Sequence, residues 1–415
     1  MGSARVGTRS FIGGRLKILG RSRLCAVACM RPTVAAVLLT AICAVPSLGR
    51  TLFVAKSAGA EYSTIHAAIA ASLPGDTIRI GPGRYDDFHP LVAPAWTRDV
   101  IAVIDKTGLT FIGAGPDSTI VGPKSPVVGA DVAPAGFAAI NGASATIIGV
   151  GVENVDNGVY WDSGGVTIDQ CAFREYVLGI VVFQSTDGVR ISESEFCSSR
   201  SQAVGVLTNP ACNGLAIAAC RFIGPGINES AIAALGTSGV IISECTIQTE
   251  GGIQFDGAVG RIEGCVASSP TGLAVWANGA AVIELYGNSL TGDYAGLYVN
   301  GWSVVTGTRN LFAGGFGLAT IYITSQSQVT LSGNDIFKTG EYAAMIGQYF
   351  YEIQTNDLSG NFWGTSDPDS IAAWIWDYSD DPVTRAHIDY IPFATSTVPT
   401  KATGLGDLKA LFLGR

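Results

Sequence analysis

The feature that most restricts the fold is a repeat of roughly 23 residues that runs through most of the chain. Segments such as VTIDQCAF, VRISESEF, LAIAACRF, VIISECTI and VTLSGNDI carry two apolar residues two apart, then a small or amide residue, then another apolar residue. A repeat of this length indicates a solenoid, in which each coil stacks on the next. The small or amide residue recurs every 20 to 26 positions, at Cys171, Ser194, Cys220, Cys245, Cys265, Asn288, Asn310, Asn334 and Asn356.

Each coil between about residues 146 and 358 is predicted to contain three short strands. In one such coil, Ile232 and Ala234 alternate inward on the first strand, and Val240 and Ile242 do so on the second. Alternation of period two, interrupted by Gly-rich corners, is what a coil of short parallel strands requires. Side chains would then stack in rows from coil to coil. The amides expected to stack as a ladder are Asn288, Asn310, Asn334 and Asn356.

Short helices are predicted to close both ends of the solenoid. Residues 62–73 place apolar residues three or four apart, and a Pro-Gly-Asp sequence follows them. Such a helix would cover the apolar end of the first coil. Near the other end, Asp367 and Asp369 can cap a helix through Ile371 and Ile375.

The chain is predicted to carry a leader before its folded part. Residues 1–49 contain seven Lys or Arg, no Asp or Glu, an apolar stretch and a small-x-small site. This is the pattern of a signal peptide, with Met30 as a possible true start. No later run of about 18 apolar residues occurs that could span a membrane. The remaining assignments are 50–82 to the N-terminal cap and first strand, 83–362 to the coils, 363–393 to the C-terminal cap, and 394–415 to a linker and tail.

The charge balance argues against a nucleic-acid partner. Without residues 1–49 the chain has 18 Lys and Arg (25 − 7) against 34 Asp and Glu, a net charge of −16. Nucleic-acid phosphates require a basic surface, which this composition does not supply. We expect a monomer that is secreted or held at the cell surface.

Six cysteines follow the predicted leader. Four of them occupy the small-residue position of the repeat, and we interpret these as small buried apolar residues. Cys197 and Cys212 lie outside that position and are the only pair that suggests a disulfide.

The segment YSTIHAAIAASLPGDTIRIGPGRY and the repeats that follow it resemble the right-handed parallel β-helix, or pectin-lyase-like, superfamily. The repeats are similar to NosD-like and right-handed β-helix repeat proteins, and the NFWG…DDP…IDYIPF segment resembles the end of secreted bacterial β-helix proteins. The resemblance implies an all-β right-handed parallel β-helix solenoid with a short N-terminal capping helix and a C-terminal helical or loop cap. It also implies polysaccharide binding on the outer face of the first strand of each coil. The catalytic motifs of polygalacturonases, pectin methylesterases and pectate lyases do not occur in the sequence.

Outward positions on these first strands form a stripe of aromatic and polar residues. Aromatic faces offer apolar area to sugar C–H groups, and carboxylates and amides can bond to sugar hydroxyls. The alternative is that a loop, the C-terminal tail or a partner chain covers the stripe. The predicted carbohydrate-binding residues are Tyr160, Asp162, Phe183, Asp256, Trp276, Tyr298, Asn300 and Tyr322.

Carboxylates supply only weak catalytic candidates. Glu193 and Glu244 both precede the small-residue position, two coils apart, so about 10 Å separates their backbones. That distance is near the upper range for inverting glycoside hydrolysis. The coil between them offers an alanine, however, which favours the interpretation that both are solvated turn residues. Asp256 is a third weak candidate.

A metal or cofactor is not predicted. Asp377, Asp380 and Asp381 could offer oxygen ligands to Ca²⁺, but a turn after a helix also accounts for them. The favoured interpretation is a non-catalytic secreted or cell-surface protein that binds extracellular polysaccharide. A divergent polysaccharide lyase or glycoside hydrolase and a structural or adhesive surface protein are the alternatives.

Overall fold

Short strands separated by turns form the coils of this chain. The computed structural model describes residues 49–93, 96–126, 133–185, 188–227, 229–351 and 353–398. Nearly all of the predicted signal peptide and all of the predicted tail lie outside these residues.

Each coil contributes strands to three sheets in turn. The first sheet contains His89–Ala93, Trp96–Ile104, Ala135–Ala139, Asn157–Trp161, Leu178–Ser185, the start of Val204–Ala218, Ser230–Leu235, Ile253–Asp256, Leu273–Asn278, Ala295–Val299, Ala319–Ile323, Tyr342–Ile346 and Ile375–Trp376. The second contains Thr51–Val54, Thr77–Ile80, Leu109–Ile112, Ala145–Ile148, Val166–Asp169, Val189–Ser192, the end of Val204–Ala218, Ser238–Ser243, Val259–Glu263, Val282–Tyr286, Val304–Thr308, Gln328–Leu331, Gln354–Asp357 and Ala386–Asp389. The third contains Gly83–Tyr85, Thr119–Val121, Gly151–Glu153, Ala172–Arg174, Glu195–Cys197, Arg221–Gly224, Thr246–Thr249, Val266–Ser269, Ser289–Gly292, Leu311–Gly314 and Asp335–Ile336.

The strands of successive coils pair in parallel and in register. Ile232, for example, pairs with Ile253, which pairs with Val275 of the following coil. In the described part of the chain, the hairpin of His89–Ala93 and Trp96–Ile104 is the one antiparallel pairing between named strands. The part of the chain that the structure describes is therefore an all-β parallel β-solenoid of about 13 turns with two helices, as the sequence predicted.

Inward side chains stack in rows along the solenoid axis. On the third sheet the rings of Phe173, Phe196 and Phe222 stack nearly parallel, with centroids 4.8 and 4.6 Å apart. All three are buried. Because the rise between coils matches the spacing of paired strands, identical residues meet face to face and each ring excludes water from the next.

The corner between the second and third sheets carries the predicted amide ladder, except that Asn361 takes the place predicted for Asn356. Asn288 donates to Asn310, Asn310 to Asn334 and Asn334 to Asn361, each Nδ2 to Oδ1 at 2.9 Å. Each of the last three side chains also accepts a bond from the backbone N–H of the ladder residue before it. All four are buried, so these bonds satisfy polar groups that water cannot reach.

The prediction that Asn356 ends the ladder is wrong. Asn356 lies within the strand Gln354–Asp357, where its Oδ1 accepts a bond from the N–H of Val329. The corner itself is reached five residues later at Asn361, because the residue before each ladder position has a positive φ, as Arg309 before Asn310 also does. Gly360 has φ +72°, matching Gly333 at +66° before Asn334.

Cysteines hold the same corner in the earlier coils. The thiol of Cys265 accepts a bond from the N–H of Cys245, and the hydroxyl of Ser194 accepts one from Cys171. The described cysteines are all free, Cys197 and Cys212 among them. Burial raises the pKa of the Cys171 thiol to about 12, so it remains a neutral group that packs as a small apolar residue.

Both predicted capping helices occur, and both are shorter than expected. The first is Ile65–Ala71, capped by the Thr64 side chain, with its apolar face buried on the first coil. Leu73 lies beyond this helix and is exposed. The second is Pro368–Ala373, capped by Asp367. Ile375 is not helical as predicted, since it begins the strand Ile375–Trp376. No helix among the described residues is both long and apolar enough to cross a bilayer.

The antiparallel hairpin covers part of the outer surface of the first sheet. Val100 of the hairpin packs with Ala138, Tyr160 and Val181, and all four are buried in a cluster separate from the solenoid interior. The partly buried Phe183 and Leu207 border this cluster. The hairpin therefore covers the outer face of the earlier coils, and among the described residues it does not extend over the later ones.

Candidate functional site

The open part of the first sheet carries a row of aromatic side chains on its outer surface. Cross-strand pairing aligns these residues in consecutive coils. The Tyr298 and Tyr322 rings stack with centroids 5.2 Å apart and planes 20° apart, and Trp276 lies 6.3 Å from Tyr298. All three are half-buried, so one ring face or edge stays accessible. We call this the aromatic row. Its six members are the aromatic Trp276, Tyr298, Tyr322 and Trp376 and, at the aligned positions of two other coils, Gln254 and Met345.

A second row of polar side chains runs beside the first, two residues further along each strand. The Asn278 Nδ2 donates to Asp256 Oδ1 at 3.4 Å, and the Asn300 Nδ2 donates to Asn278 Oδ1 at 3.2 Å. We call these three residues the polar row, and the two rows together the open face. Each amide has further donor or acceptor capacity beyond these bonds, which a sugar hydroxyl could use.

The turns after the polar row explain why its residues adopt this arrangement. Each polar residue is followed by glycine, and Gly257, Gly279 and Gly301 have φ between +61° and +64°. A Cβ on Gly279 would lie 2.1 Å from the Asp256 Oδ1. Glycine therefore suits the left-handed turn, and its lack of a Cβ leaves room for the carboxylate beside the next coil.

The phenols of the open face stay protonated at neutral pH. Burial raises the pKa of Tyr298, and the nearby Tyr322 and Tyr294 raise it further. Burial raises the pKa of Tyr322 in the same way. Both hydroxyls can therefore donate as well as accept hydrogen bonds. Among the nine residues of the two rows, Asp256 carries the single formal charge.

The structure corrects the predicted extent of the stripe. Tyr160 is only 5% exposed beneath the hairpin, where the Arg98 guanidinium lies 4.3 Å from its ring centroid. Phe183 packs against Tyr160 at 5.0 Å and is partly covered. The prediction that both rings belong to an exposed stripe is therefore wrong for Tyr160, which is buried. Phe183 is only partly exposed. Asp162 is itself exposed, but it belongs to the same coil as the covered Tyr160 and lies away from the open face.

The weak catalytic candidates are not brought together. Glu193 and Glu244 are exposed turn residues with φ of +46° and +54°. Glu193 accepts a bond of 3.3 Å from Gln170 and lines a surface concavity of about 440 Å³ that does not include Glu244. Asp256 contacts an amide rather than a second carboxylate. General acid and base catalysis of glycoside cleavage needs two carboxyl groups facing one bond, which none of these pairs supplies.

Other acidic groups in that concavity are engaged by arginine. Arg174 bonds to Asp117 at 2.6 Å and to Glu153 at 3.1 Å. Arg221 pairs with Glu195 of the neighbouring coil at 3.3 Å. These contacts are those of a solvated, charge-balanced surface.

The aspartates after the second helix stabilise a turn. Asp377 is buried, and its two carboxylate oxygens accept bonds from the N–H groups of Ser379 and Ile388, both at 2.8 Å. Asp380 bonds to the N–H of Asp377, and Asp381 to that of Val383. Within the described residues, no cluster of three or more His, Cys, Asp or Glu side chains could hold a metal ion.

A larger concavity of about 560 Å³ lies on the outer surface of the second sheet. Tyr286 is one of its lining residues, with the Arg261 and Arg309 guanidinium groups each 5.7 Å from its ring centroid. Arg261 pairs with Glu263 at 2.6 Å, and Arg309 donates to the Tyr286 hydroxyl at 2.9 Å. The residues lining this concavity include one carboxylate, that of Glu284, so it offers no catalytic pair either.

Sequence reasoning missed part of the open face. Asn278 was not predicted. It follows Trp276 by two residues, as Asn300 follows Tyr298, and the recurring Asp-Gly and Asn-Gly pairs in the sequence are the signal that could have identified it. Trp376 was not predicted because its strand, Ile375–Trp376, was expected to be helical. Tyr294 is exposed and meets Tyr298 edge-on at 6.5 Å, but it lies before the strand, where alternation gives no signal.

Comparison with known proteins supports the fold assignment. A family model described as the right handed beta helix region matches residues 230–363. The catalytic domain of a GH87 alpha-1,3-glucanase in complex with tetrasaccharides superimposes with a TM-score of 0.52 at 11% identity, covering 84% of this chain and 68% of that chain. The A-module of the Azotobacter vinelandii mannuronan C-5 epimerase AlgE6 gives 0.41 at 13% identity, covering 81% and 95%. An alginate lyase from Paenibacillus sp. gives 0.36 at 13% identity, covering 69% and 94%.

No curated protein matches the sequence. At identities this low, likeness to solved structures establishes the fold alone. The chain has the right-handed parallel β-helix, pectin-lyase-like fold that its sequence resembles.

Proposed function

Starting from a right-handed parallel β-helix with one open aromatic face, we propose that this protein binds a neutral extracellular polysaccharide without cleaving it. The observation that carries the proposal is the alignment of the Trp276, Tyr298 and Tyr322 rings beside the Asp256–Asn278–Asn300 row. The proposal includes export of the chain, for which residues 1–49 have the composition of a signal peptide.

The chemistry of the two rows suits a sugar chain. A pyranose ring has an apolar face of C–H groups and a rim of hydroxyls. Stacked aromatic rings supply apolar area for the first, and carboxamide and carboxylate groups supply hydrogen bonds for the second. Six members of the aromatic row at about 4.8 Å per coil give a face about 24 Å long, which favours a polymer over a single sugar.

Charge favours a neutral chain over an acidic one. Neither row contains Lys or Arg, and Asp256 is negative. A uronate or sulfated polymer would need cations to offset its charge, and its carboxylates would be repelled by the net negative surface. The fold neighbour with a TM-score of 0.52 is an alpha-1,3-glucanase bound to tetrasaccharides, which makes alpha-1,3-linked glucose oligosaccharides a sensible first probe.

The arrangement of carboxylates favours binding over cleavage. The open face contains one carboxylate, and its nearest polar neighbour is the amide of Asn278. Retaining and inverting glycoside hydrolysis both use two carboxyl groups across the scissile bond. A lone carboxylate in a row of amides is better suited to accepting hydrogen bonds from hydroxyls.

The test is a binding and cleavage assay on the purified protein with neutral glucans, polygalacturonate and alginate, with and without Ca²⁺. We expect binding to at least one neutral polysaccharide and no new reducing or unsaturated ends. Trp276→Ala and Tyr298→Ala should each weaken binding roughly tenfold with little change in Tm, because each ring is half-exposed.

Tyr286→Ala is the matched control, since this tyrosine faces outward on the second sheet and should leave binding unchanged. Equal binding by the wild type and both open-face variants would refute the assignment of the site. Cleavage of any polymer would identify an enzyme and direct attention to Glu193, Glu244 and Asp256. Tighter binding to polygalacturonate or alginate than to any neutral glucan would overturn the charge argument.

A further inference from the structure

Two exposed aromatic side chains meet at the corner where the open face ends. Trp302 is 56% exposed and Tyr351 is 64% exposed, and their ring centroids lie 5.5 Å apart. Trp302 follows Asn300, the last member of the polar row, by two residues, so the backbone between them spans at most about 7 Å. Phe350 beside Tyr351 is also exposed. We call these three residues the corner patch.

Trp302 has a backbone conformation that is unfavourable for a bulky side chain. Its φ is +66°, directly after Gly301 at +64°. Two successive positive φ angles define a type I′ turn, in which Gly, Asn and Asp are the usual residues. A large β-carbon substituent is strained in this left-handed region. The turn therefore does not select tryptophan.

Neighbouring coils show that the turn forms without an aromatic residue. The equivalent positions are Ala280, with φ +65°, and Gln326, with φ +60°. Trp302 also contributes little to the interior, because more than half of its surface faces solvent. Strained residues of this kind concentrate at ligand-binding and active sites, where the surrounding structure holds them in their unfavourable conformation.

Hydrogen bonds hold the patch in place. The Trp302 N–H donates to the Ser325 carbonyl at 3.0 Å. With its amide oxygen turned toward the Tyr351 N–H, Gln326 accepts a bond of 3.1 Å. The Phe350 carbonyl accepts a bond of 3.1 Å from Arg385. A surface fixed in this way loses little conformational entropy when it binds a ligand.

We propose that the corner patch is a second contact for the same polysaccharide, with Trp302 as its principal residue. This inference rests on the proposed function. The patch lies on the turn that follows Asn300, beside the end of the polar row, and its rings offer apolar area as the aromatic row does. A chain that extends from the polar row toward this turn would contact Trp302, whereas a short oligosaccharide that stays on Trp276 and Tyr298 would not. The patch therefore selects for long chains.

The test compares the wild type with Trp302→Gly, using a neutral glucan polymer and an oligosaccharide of four sugars made of the same unit. Glycine removes the ring and relieves the strained φ, so Tm should be unchanged or higher. We expect polymer affinity to fall roughly tenfold and oligosaccharide affinity to stay within twofold. Trp276→Ala should weaken both. Ala280→Gly makes the same backbone change one coil earlier and should leave both affinities unchanged.

The outcomes separate the two proposals. Polymer binding by Trp302→Gly at wild-type affinity, with Trp276→Ala impaired, would overturn the corner patch and keep the open face. A lower Tm with unchanged binding would make Trp302 a packing residue and also overturn the proposal. Absence of glycan binding by the wild type would overturn both.

Discussion

At the scale of single residues, polar side chains have two different roles in adjacent parts of a coil: stabilising the interior and forming the outer surface. The inner ladder at the corner consists of buried amides whose bonds replace water. The outer polar row uses the same residue type at a half-buried position, where water can compete. Asn310 and Asn300 represent these two environments. The cost of losing an amide should therefore depend on burial rather than on the number of bonds it makes.

Asn310→Ala should be strongly destabilising. Its Nδ2 donates to Asn334 and to the carbonyls of Leu285 and Thr308, and its Oδ1 accepts from the backbone and side chain of Asn288. Removing it leaves several buried groups without partners, so we expect the free energy of unfolding to fall by about 2–4 kcal/mol. Urea denaturation followed by circular dichroism measures this change.

Asn300→Ala is the comparison, and it should cost less than about 1 kcal/mol, because water can reach the groups it leaves. Similar losses for the two variants would show that the inner ladder does not depend on its burial.

The residue scale also shows what alternation can and cannot predict. Period two identified the inward residues and most of the open face, because parallel strands in register repeat the same side-chain direction in every coil. It placed the last ladder residue at Asn356 instead of Asn361. The repeat there is lengthened by five residues, and the signal was the recurring Leu-Ser-Gly-Asn sequence at 331–334 and 358–361. A left-handed residue before the ladder position, here Gly360, marks the corner more reliably than the spacing does.

At the scale of elements, the hairpin of His89–Ala93 and Trp96–Ile104 decides how much of the outer face is open. Residues 83–145 have no clear repeat, so the sequence predicted neither the hairpin nor the surface it packs against. Tyr160 and Trp276 occupy the same outward row, and their local patterns do not differ. Tyr160 is covered and Trp276 is not because the hairpin, which is far from Tyr160 in sequence, packs on Tyr160.

The same hairpin joins the N-terminal cap through a pair of histidines. His66 of the first helix stacks on His89 with ring centroids 4.0 Å apart. Burial lowers the pKa of His66, and the neighbouring His89 and Lys106 lower it further, while Asp105 opposes them. Since the folded pKa lies below the unfolded value of 6.5, the unfolded chain binds a proton first as pH falls. Stability is therefore full above pH 6.5 and declines as pH falls from there through the folded pKa.

We expect His66→Phe, which keeps the stacked ring but cannot take a proton, to reduce this decline. Tm measured at half-unit steps from pH 7.5 to 5.0 gives the comparison. The wild-type curve should drop more steeply than that of the variant below pH 6.5, while the two run parallel above it. Parallel curves throughout would mean that His66 does not couple the cap to pH.

At the scale of the whole molecule, stacking and charge set separate properties. Nearest-neighbour contacts between coils give a rigid surface with a fixed repeat, and this is what the sequence repeat predicted most fully. Net charge does not influence that architecture. Net charge instead affects which ligands and partners the surface attracts. The chain is acidic, with a sequence pI near 4.9. An acidic surface together with uncharged binding rows favours a ligand whose binding involves little ion pairing.

Glycan binding should therefore depend only weakly on ionic strength. Salt screens interactions between exposed charges beyond about 10 Å at 0.1 M and about 3 Å at 1 M, but it leaves ring stacking and neutral hydrogen bonds nearly unchanged. Between roughly 0.05 and 0.5 M NaCl, a range that removes most exposed charge–charge attraction, we expect the affinity for a neutral glucan to change less than about twofold. An acidic polymer held by cationic groups would instead weaken steeply over this range. A steep loss for the bound glycan would therefore show that basic residues outside the two rows take part, and it would move the binding site toward the arginines of the second and third sheets.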